Sequence, residues 1–146
     1  SADPAEDVAL ADEIRLQRLY LEIESVRFPD RLHCSFEIDP AVADACVPGM
    51  ILQPLIENAV KYAVAPARRA VTIAVRAAAE GDRLRITVED DGDAQAPAPA
   101  GTGVGLRNVR DRLAARHGSA ATMEAGARAG GGFAVTLVMP LARHGC

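Results

Sequence analysis

The chain has 146 residues, the length of one ordinary domain. Its 16 basic and 20 acidic residues give a formal net charge of −4, which excludes a strongly basic nucleic-acid-binding surface. With 49% hydrophobic and 25% charged residues, the composition is typical of a folded globular protein. No apolar run approaches the roughly 18 residues of a membrane-spanning helix.

Two residue types are used unevenly. The basic residues are fifteen arginines and one lysine, Lys61, so we treat this lysine as a position to follow. The three cysteines, Cys34, Cys46 and Cys146, are odd in number and form no CxxC pair. This pattern argues against a disulfide framework or a zinc site and favours a reducing, cytoplasmic environment. The first residues show no signal peptide, and the missing initial methionine indicates a piece of a longer protein.

The first third of the chain predicts a helix over residues 8–26, a strand over 33–38 and a short helical piece over 41–45. The apolar stripe expected to bury the first helix consists of Leu10, Ile14, Leu19, Ile23 and Val26. Residues 50–64 form the clearest helix, with one apolar stripe and Pro54 in its first turn, where a missing N–H matters least.

Alternating apolar residues then predict strands over 70–78 and 84–88, joined as a hairpin by Glu80-Gly81-Asp82. Residues from Asp90 to Gly105 have loop composition, and a helix follows over about 105–116 with Gly118 as its cap. The last strands are predicted over 120–125 and 133–139, around the turn Gly130-Gly131-Gly132. Because strands and helices do not strictly alternate, we expect an α+β fold, a two-layer α/β sandwich with a mixed sheet and helices on one face.

Polar residues on the helix over 50–64 form the first candidate site. Asn58, Lys61 and Tyr62 lie at i, i+3 and i+4 and therefore share one face, and Glu57 lies four residues before Lys61. A carboxamide oxygen can complete a Mg²⁺ shell, an ammonium can contact phosphate, and a phenol can cover a base or ribose. Taken alone, the same residues also fit a solvated helix face with one salt bridge.

Two further motifs follow in the chain. Asp90-Asp91-Gly92 comes directly after a strand, where a carboxylate can accept from an exocyclic amine and glycine lets a flat ring approach, although it also fits an ordinary turn. The segment Gly101-Thr102-Gly103-Val104-Gly105-Leu106 opens a helix, so its backbone N–H groups can surround an anion. This segment fits neither the dinucleotide pattern nor a Walker loop, and alone it also fits a linker that enters a helix.

In this order the three motifs resemble the ATP-binding domain shared by histidine kinases, DNA gyrase, MutL and heat-shock chaperone ATPases, the Bergerat fold. The resemblance covers roughly residues 10–141, with 1–9 as a linker from an upstream dimerisation and phosphoacceptor region and 142–146 as a tail. It narrows to the LytS-type sensor histidine kinases on three stretches: Tyr20-Leu21-x-Ile23-Glu24-x-x-Arg27-Phe28, Pro48-x-x-Ile51-Leu52-Gln53-Pro54-Leu55-x-Glu57-Asn58-Ala59 and Gly105-Leu106-x-Asn108-Val109-x-x-Arg112-Leu113.

The resemblance implies a role for each motif. Asn58 would ligate Mg²⁺, with Glu57 beside it as a weaker catalytic candidate, while Lys61 would contact phosphate and Tyr62 the nucleotide. Asp90 would accept from the adenine amine, with Gly92 under the ring. Gly101, Gly103 and Gly105 would surround the phosphates as part of a short ATP lid, and Thr102, Val104 and Leu106 would also belong to the ATP-binding residues.

The resemblance also implies that ATP donates its γ-phosphoryl to a histidine on a separate dimerisation domain, and then to a response regulator. That histidine lies in a His-Phe-x-Phe-Asn context in the family, which none of His33, His117 and His144 has. We therefore expect a catalytic fragment that binds ATP or ADP but lacks its acceptor. The domain would be cytoplasmic, and the full-length protein a membrane-anchored homodimer.

Departures from the family pattern leave rival functions open. Ala94 stands where the family usually has glycine, Asp91 where it often has asparagine, and Phe133 where it often has threonine. These three differences favour a degenerate nucleotide-binding or docking module. A gyrase-like ATPase or an anti-sigma-factor-type protein kinase is the other rival. Both carry a general-base glutamate one turn before the metal asparagine, where this chain has Pro54.

Overall fold

A computed structural model describes residues 6–93 and 102–146, without the side chains of 102–104. Its strands are β1 (Asp7–Ala9), β2 (Leu32–Ile38), β3 (Cys46–Pro48), β4 (Val71–Glu80), β5 (Arg83–Asp90), β6 (Thr122–Ala127) and β7 (Phe133–Pro140). Its α-helices are α1 (Leu10–Arg27), α2 (Gln53–Ala59) and α3 (Thr102–His117). Short 3₁₀ turns span Pro40–Val42 and Gly118–Ala120, and α2 continues into a π-helical turn, Val60–Val64.

The main sheet has the strand order β2-β4-β5-β7-β6. β2 runs parallel to β4, and the other neighbours are antiparallel, so the sheet is mixed. Along β5 the buried residues Leu84, Ile86 and Val88 alternate with Arg83, Arg85 and Thr87. Since the buried side chains point to one face only, where they join the helices in a single core, the predicted two-layer α+β sandwich is confirmed.

The predicted turns are where the sequence places them. Glu80 pairs with Arg83 across the β4–β5 hairpin, and Gly81 adopts a positive φ of 65°. Gly118 directly follows α3 with a φ of 58°, as expected of a C-terminal cap. No described helix is long and apolar enough to cross a membrane.

Two helix starts and one strand pair differ most from the prediction. α2 begins at Gln53 rather than at residue 50, because Met50 has a φ of 63°, which an α-helix does not accommodate. α3 begins at Thr102, so residues 102–105, predicted as loop, are helical. The short antiparallel pair of β1 and β3 has no counterpart in the prediction, and β1 lies in the segment predicted as a linker.

The predicted buried stripe of α1 is wrong over its second half. Leu10 and Ile14 are buried, but Leu19, Ile23 and Val26 are exposed by 52%, 68% and 80%. The face that packs on the domain instead carries polar residues that periodicity counts as solvent-facing. Its buried members are Leu10, Glu13, Ile14, Gln17, Leu21 and Glu24.

The cysteine prediction is also wrong. Cys46 and Cys146 form a disulfide across a sequence separation of 100 residues, with their Cα atoms 5.7 Å apart. Beside it, the Cys46 N–H donates to the Ala142 carbonyl at 2.6 Å, and Arg143 pairs with Asp44 at 3.3 Å. Because the two cysteines meet only through tertiary packing, their spacing in the sequence carries no sign of the bond. Cys34 is free and exposed.

Candidate functional site

A buried carboxylate on α1 holds the start of α2. Glu13 is 2% exposed, and its Oε1 and Oε2 accept from the backbone N–H groups of Met50 and Leu52 at 3.0 and 2.9 Å. On the other side, Arg112 of α3 donates to the Gly49 carbonyl at 2.5 Å. Sequence reasoning missed Glu13, because periodicity counts it as solvent-facing and its partners lie 37 and 39 residues away.

The helix that carries Asn58 changes geometry just after this residue. Ala65 donates its N–H to the Val60 carbonyl at 2.9 Å, an i→i+5 bond that closes the π-helical turn. Asn58 and Tyr62 are half-buried and Lys61 is exposed, with its Nζ 5.2 Å from the centroid of the Tyr62 ring. Because Lys61 and Tyr62 lie in the wider turn, the 3.6-residue period used to align them with Asn58 does not hold over the whole segment.

The charge of Glu57 acts on a residue of α1. Burial raises the pKa of Tyr20 on α1, and the neighbouring charges of Glu24 and Glu57 raise this pKa further. Glu57 itself is exposed, and consecutive residues such as Glu57 and Asn58 lie roughly 100° apart around a helix.

Asp90 ends β5 as a buried carboxylate. It is 4% exposed, and its Oδ1 accepts from the Gly92 N–H at 3.0 Å. Burial raises the pKa of Asp90 above its usual value, and the charge of Asp91 adds to the rise, while hydrogen bonding and Arg128 oppose it. A desolvated carboxylate at a strand end is a strong acceptor for a donor that enters from outside.

Gly92 joins this strand end to the π-helical turn. A Cβ on Gly92 would lie 2.8 Å from the Cβ of Ala63, closer than side-chain carbon atoms approach each other. Only glycine therefore lets the segment after Asp90 pack against the turn that carries Lys61 and Tyr62. The structure thus brings together the helix that carries Asn58, Lys61 and Tyr62 and the Asp90-Asp91-Gly92 motif.

Asp91 is held by the start of β4. Its Oδ1 accepts from the Thr72 N–H at 2.7 Å, and Arg69 donates to the Asp91 carbonyl at 2.5 Å. Arg69 also pairs with Asp93 at 3.1 Å. The carboxylate that departs from the family pattern therefore satisfies a backbone donor of the sheet. The sequence offered no sign of this contact, since Thr72 lies 19 residues earlier.

The β6–β7 turn closes the other side of Asp90. Gly130, Gly131 and Gly132 all have positive φ, and a Cβ on Gly132 would collide with the Asp90 carbonyl oxygen. Arg128 donates to the same carbonyl at 2.8 Å, and Phe133 pairs with Asp90 in the β5–β7 register. Phe133, which stands where the family often has threonine, thus lies beside the buried Asp90 carboxylate.

The start of α3 lies near the start of α2. A Cβ on Gly105 would lie 3.9 Å from the Cβ of Pro54, and both Gly105 and Leu106 are half-buried. Gly103 and Gly105 belong to the first turn of α3, where free N–H groups and the helix dipole favour an anion. Gly101 and Ala94 lie outside the described residues, as do the side chains of Thr102 and Val104.

The described residues contain no group of three or more His, Cys, Asp or Glu side chains placed to hold a metal ion. Mg²⁺ does not need such a cage, since it keeps several waters and binds through one or two protein oxygens together with substrate phosphates. The half-buried carboxamide of Asn58, on the helix whose end packs against Gly92, provides one such oxygen. The donor set therefore fits a metal that arrives with a nucleotide.

Comparisons with known proteins agree with one another. The sequence profile described as histidine kinase-, DNA gyrase B- and HSP90-like ATPase matches residues 47–143. Sensor histidine kinase BtsS of Escherichia coli is 31% identical over 115 residues, which are 79% of this chain and 20% of that protein. Sensor protein LytS of Staphylococcus saprophyticus is 41% identical over 56 residues, 38% of this chain and 10% of that protein. The chain thus spans about a fifth or less of the length of these relatives.

Solved structures show the same fold. The catalytic domain of histidine kinase ThkA, in a nucleotide-free form, superposes with a TM-score of 0.69 at 19% identity over 92% of this chain and 94% of that chain. Histidine kinase AdeS of Acinetobacter baumannii gives a TM-score of 0.70 at 16% identity over 93% of this chain and 66% of that chain. The predicted Bergerat fold and the resemblance to the LytS-type sensor histidine kinases are therefore confirmed.

Proposed function

Because the chain belongs to the family of histidine kinase-, DNA gyrase B- and HSP90-like ATPases, we propose that it is the ATP·Mg²⁺-binding catalytic domain of a sensor histidine kinase. It delivers the γ-phosphoryl of ATP to a histidine outside this chain. The observation that carries this proposal is the buried Asp90 carboxylate, which lies at a strand end beside a glycine packed against the helix of Asn58.

Each part of the site has a proposed task. Asp90 accepts from the adenine amine, and Gly92 leaves room for the ring. Lys61 and Tyr62 contact the phosphates and the nucleotide, and the backbone of the α3 start, with Gly101, Thr102, Gly103, Val104, Gly105 and Leu106, surrounds the phosphates. Asn58 would hold Mg²⁺, which neutralises phosphate charge when bound. This chain therefore contributes positioning and electrostatic stabilisation, which account for most of the catalysis of phosphoryl transfer.

The proposed partners lie outside this chain. Histidine kinase ThkA has been crystallised with the response regulator protein TrrA, and we propose a response regulator as the downstream partner here as well. The acceptor histidine lies on an upstream dimerisation domain of a membrane-anchored, homodimeric kinase. Residues 10–141 form its cytoplasmic catalytic domain, with 1–9 as linker and 142–146 as tail.

The rival functions have weaker support. The gyrase-like and anti-sigma-factor hypotheses need a general base at Pro54, which also lies at the first turn of α2 as a helix-starting residue. The hypothesis of a degenerate module takes Asp91 as a substitution that impairs the nucleotide site. The Asp91 carboxylate instead accepts from the Thr72 N–H, which gives this residue a structural task at the start of β4.

Nucleotide-dependent thermal stability tests the proposal. At a concentration about 100 times its dissociation constant, a ligand stabilises the native state by about 2.7 kcal/mol, so ATP with Mg²⁺ should raise Tm by about 5–10 °C for a domain of this size. Asn58→Ala should lose only the part of the shift that depends on Mg²⁺, with EDTA as the internal control. No shift with ATP or ADP at millimolar concentrations would exclude a nucleotide-binding function.

A further inference from the structure

The Asp90 carboxylate has an apolar neighbour on each adjacent strand. Ile73 of β4 and Phe133 of β7 are the Cα partners of Asp90 in the sheet. Residues directly opposite each other on adjacent strands point to the same face, with Cβ atoms about 4.5–5.5 Å apart. Ile73 is fully buried, and Phe133 is half-buried and packs against the core. A base that reaches Asp90 on this face therefore meets a hydrocarbon side chain on either side of the carboxylate.

The π-helical turn adds a third apolar neighbour. A Cβ on Gly92 would lie 2.8 Å from the Ala63 Cβ and 3.2 Å from the Asp90 Oδ1, so Ala63 and the carboxylate approach the same point. Val88, the preceding residue of β5 on this face, is buried as well. The cross-strand and helix neighbours of Asp90 on its own face are thus all hydrocarbon side chains.

The polar groups next to Asp90 in the chain are engaged elsewhere. Arg128 pairs with Glu89 at 3.4 Å, and successive residues of a strand point to opposite faces, so this ion pair lies across the sheet from the Asp90 carboxylate. The Asp91 carboxylate accepts from the Thr72 N–H, and the Gly92 N–H donates to Asp90 itself. None of these groups is placed to donate to a base that is bound at Asp90.

Adenine presents two polar groups side by side on the edge that carries its exocyclic amine. The amine donates, and the neighbouring ring nitrogen N1 accepts. An ionised carboxylate only accepts, so Asp90 can bind the amine but cannot donate to N1. A bridging water needs roughly two to four polar partners, and the side chains of Ile73 and Phe133 supply none. The amine therefore has a partner in this pocket, whereas N1 has none among the neighbours of Asp90.

We propose that Phe133 is a specificity-determining residue, which places hydrocarbon against N1 so that the pocket recognises adenine through its exocyclic amine alone. This inference rests on the proposed ATP-binding function and adds which atoms of the base are recognised. A site discriminates strongly only where a missing group leaves a buried polar partner unpaired. Since N1 has no such partner, nucleoside triphosphates that keep the amine but lack N1 should be accepted as ligands.

Three nucleotides that differ by one group each test the inference on the wild-type chain. With Mg²⁺ and isothermal titration, 1-deaza-ATP, in which C–H replaces N1, should bind within about threefold of ATP or more tightly, because no hydrogen bond is lost. Purine riboside triphosphate, which lacks the amine, should bind roughly ten- to a hundredfold more weakly than ATP. A loss of more than about threefold with 1-deaza-ATP would show that N1 has a donor and would overturn the inference.

A matched pair of variants attributes the effect to position 133. Threonine and valine share one shape and differ by a hydroxyl in place of a methyl group. Phe133→Thr places a donor beside N1 and should make ATP bind roughly three- to tenfold more tightly than 1-deaza-ATP, whereas Phe133→Val should keep the wild-type ratio. Each ratio compares two nucleotides on one variant, so a change in stability cancels. Equal ratios in the two variants would remove Phe133 from the edge of the base.

Failure of this inference and failure of the proposed function give different results. If none of the three nucleotides binds at millimolar concentration, the proposed function is wrong, and the inference falls with it. If ATP binds well but 1-deaza-ATP binds poorly, the proposed function stands, and only the role of Phe133 is rejected. If purine riboside triphosphate binds as tightly as ATP, Asp90 does not recognise the amine, and the inference is overturned although nucleotide binding remains.

Discussion

The two ends of the proposed nucleotide site are built differently. The adenine end, defined as Asp90, Gly92 and Gly132, is buried, and two of its glycines pack so closely that a Cβ would collide with a neighbour. At the phosphate end, defined as Asn58, Lys61 and Tyr62, the side chains are half-buried or exposed. The adenine end therefore belongs to the core of the fold, whereas the phosphate end can change without disturbing packing. Substitutions at the two ends should separate effects on stability from effects on function.

The largest effect on stability is expected from Gly132→Ala. A Cβ there would overlap the Asp90 carbonyl oxygen, and the residue has a φ of 96°. Left-handed backbone costs about 1–2 kcal/mol for alanine, and overpacking costs about 1–3 kcal/mol more. The free energy of unfolding should fall by the sum of these, measured by urea denaturation.

Gly130→Ala is the matched control for this prediction. Gly130 has a similar φ of 87°, but a Cβ there would meet nothing within 4 Å. It should therefore show only the cost of the backbone conformation. Equal losses in the two variants would mean that the contact of Gly132 with Asp90 has no energetic weight.

Asp90→Asn should separate recognition from folding at the adenine end. Asparagine can still accept from the Gly92 N–H through its Oδ1, so the strand end should keep its conformation. A hydrogen bond to a charged group contributes about 1.5–3 kcal/mol, which corresponds to a loss of ATP affinity of roughly ten- to a hundredfold. Isothermal titration should show this loss, and wild-type affinity in the variant would remove Asp90 from the adenine pocket.

The same substitution should change the pH dependence of stability. Because burial raises the pKa of Asp90 in the folded chain, its ionisation opposes folding. The stability contributed by the neutral, protonated form of Asp90 is fully present below the unfolded pKa of 3.8. It is lost as the pH rises through the raised pKa of the folded chain. Asp90→Asn should therefore lose less stability than the wild type between about pH 4 and the raised pKa, as measured by urea denaturation at each pH.

The sequence predicts the parts of this site that depend on local pattern. Alternation along β4 and β5, the hairpin at Gly81 and the order of the three motifs all follow from residues close together in the chain. The face of α1 and the Cys46–Cys146 bond do not, because each depends on distant contacts. The Glu13 carboxylate illustrates the difference, since its partners Met50 and Leu52 lie 37 and 39 residues away.

The smallest effect is expected at the phosphate end, from Lys61→Arg. Lys61 is the only lysine among fifteen arginines, and its exposed ammonium lies beside the Tyr62 ring. An exposed charge contributes up to about 1 kcal/mol, so Lys61→Ala should weaken ATP binding by at most about fivefold. Arginine keeps the charge but replaces a compact ammonium with a planar fork, and Lys61→Arg should therefore fall between alanine and lysine. If the Lys61→Arg variant binds ATP with wild-type affinity, the site needs only a positive charge at position 61. The single lysine then has no chemical advantage over arginine there.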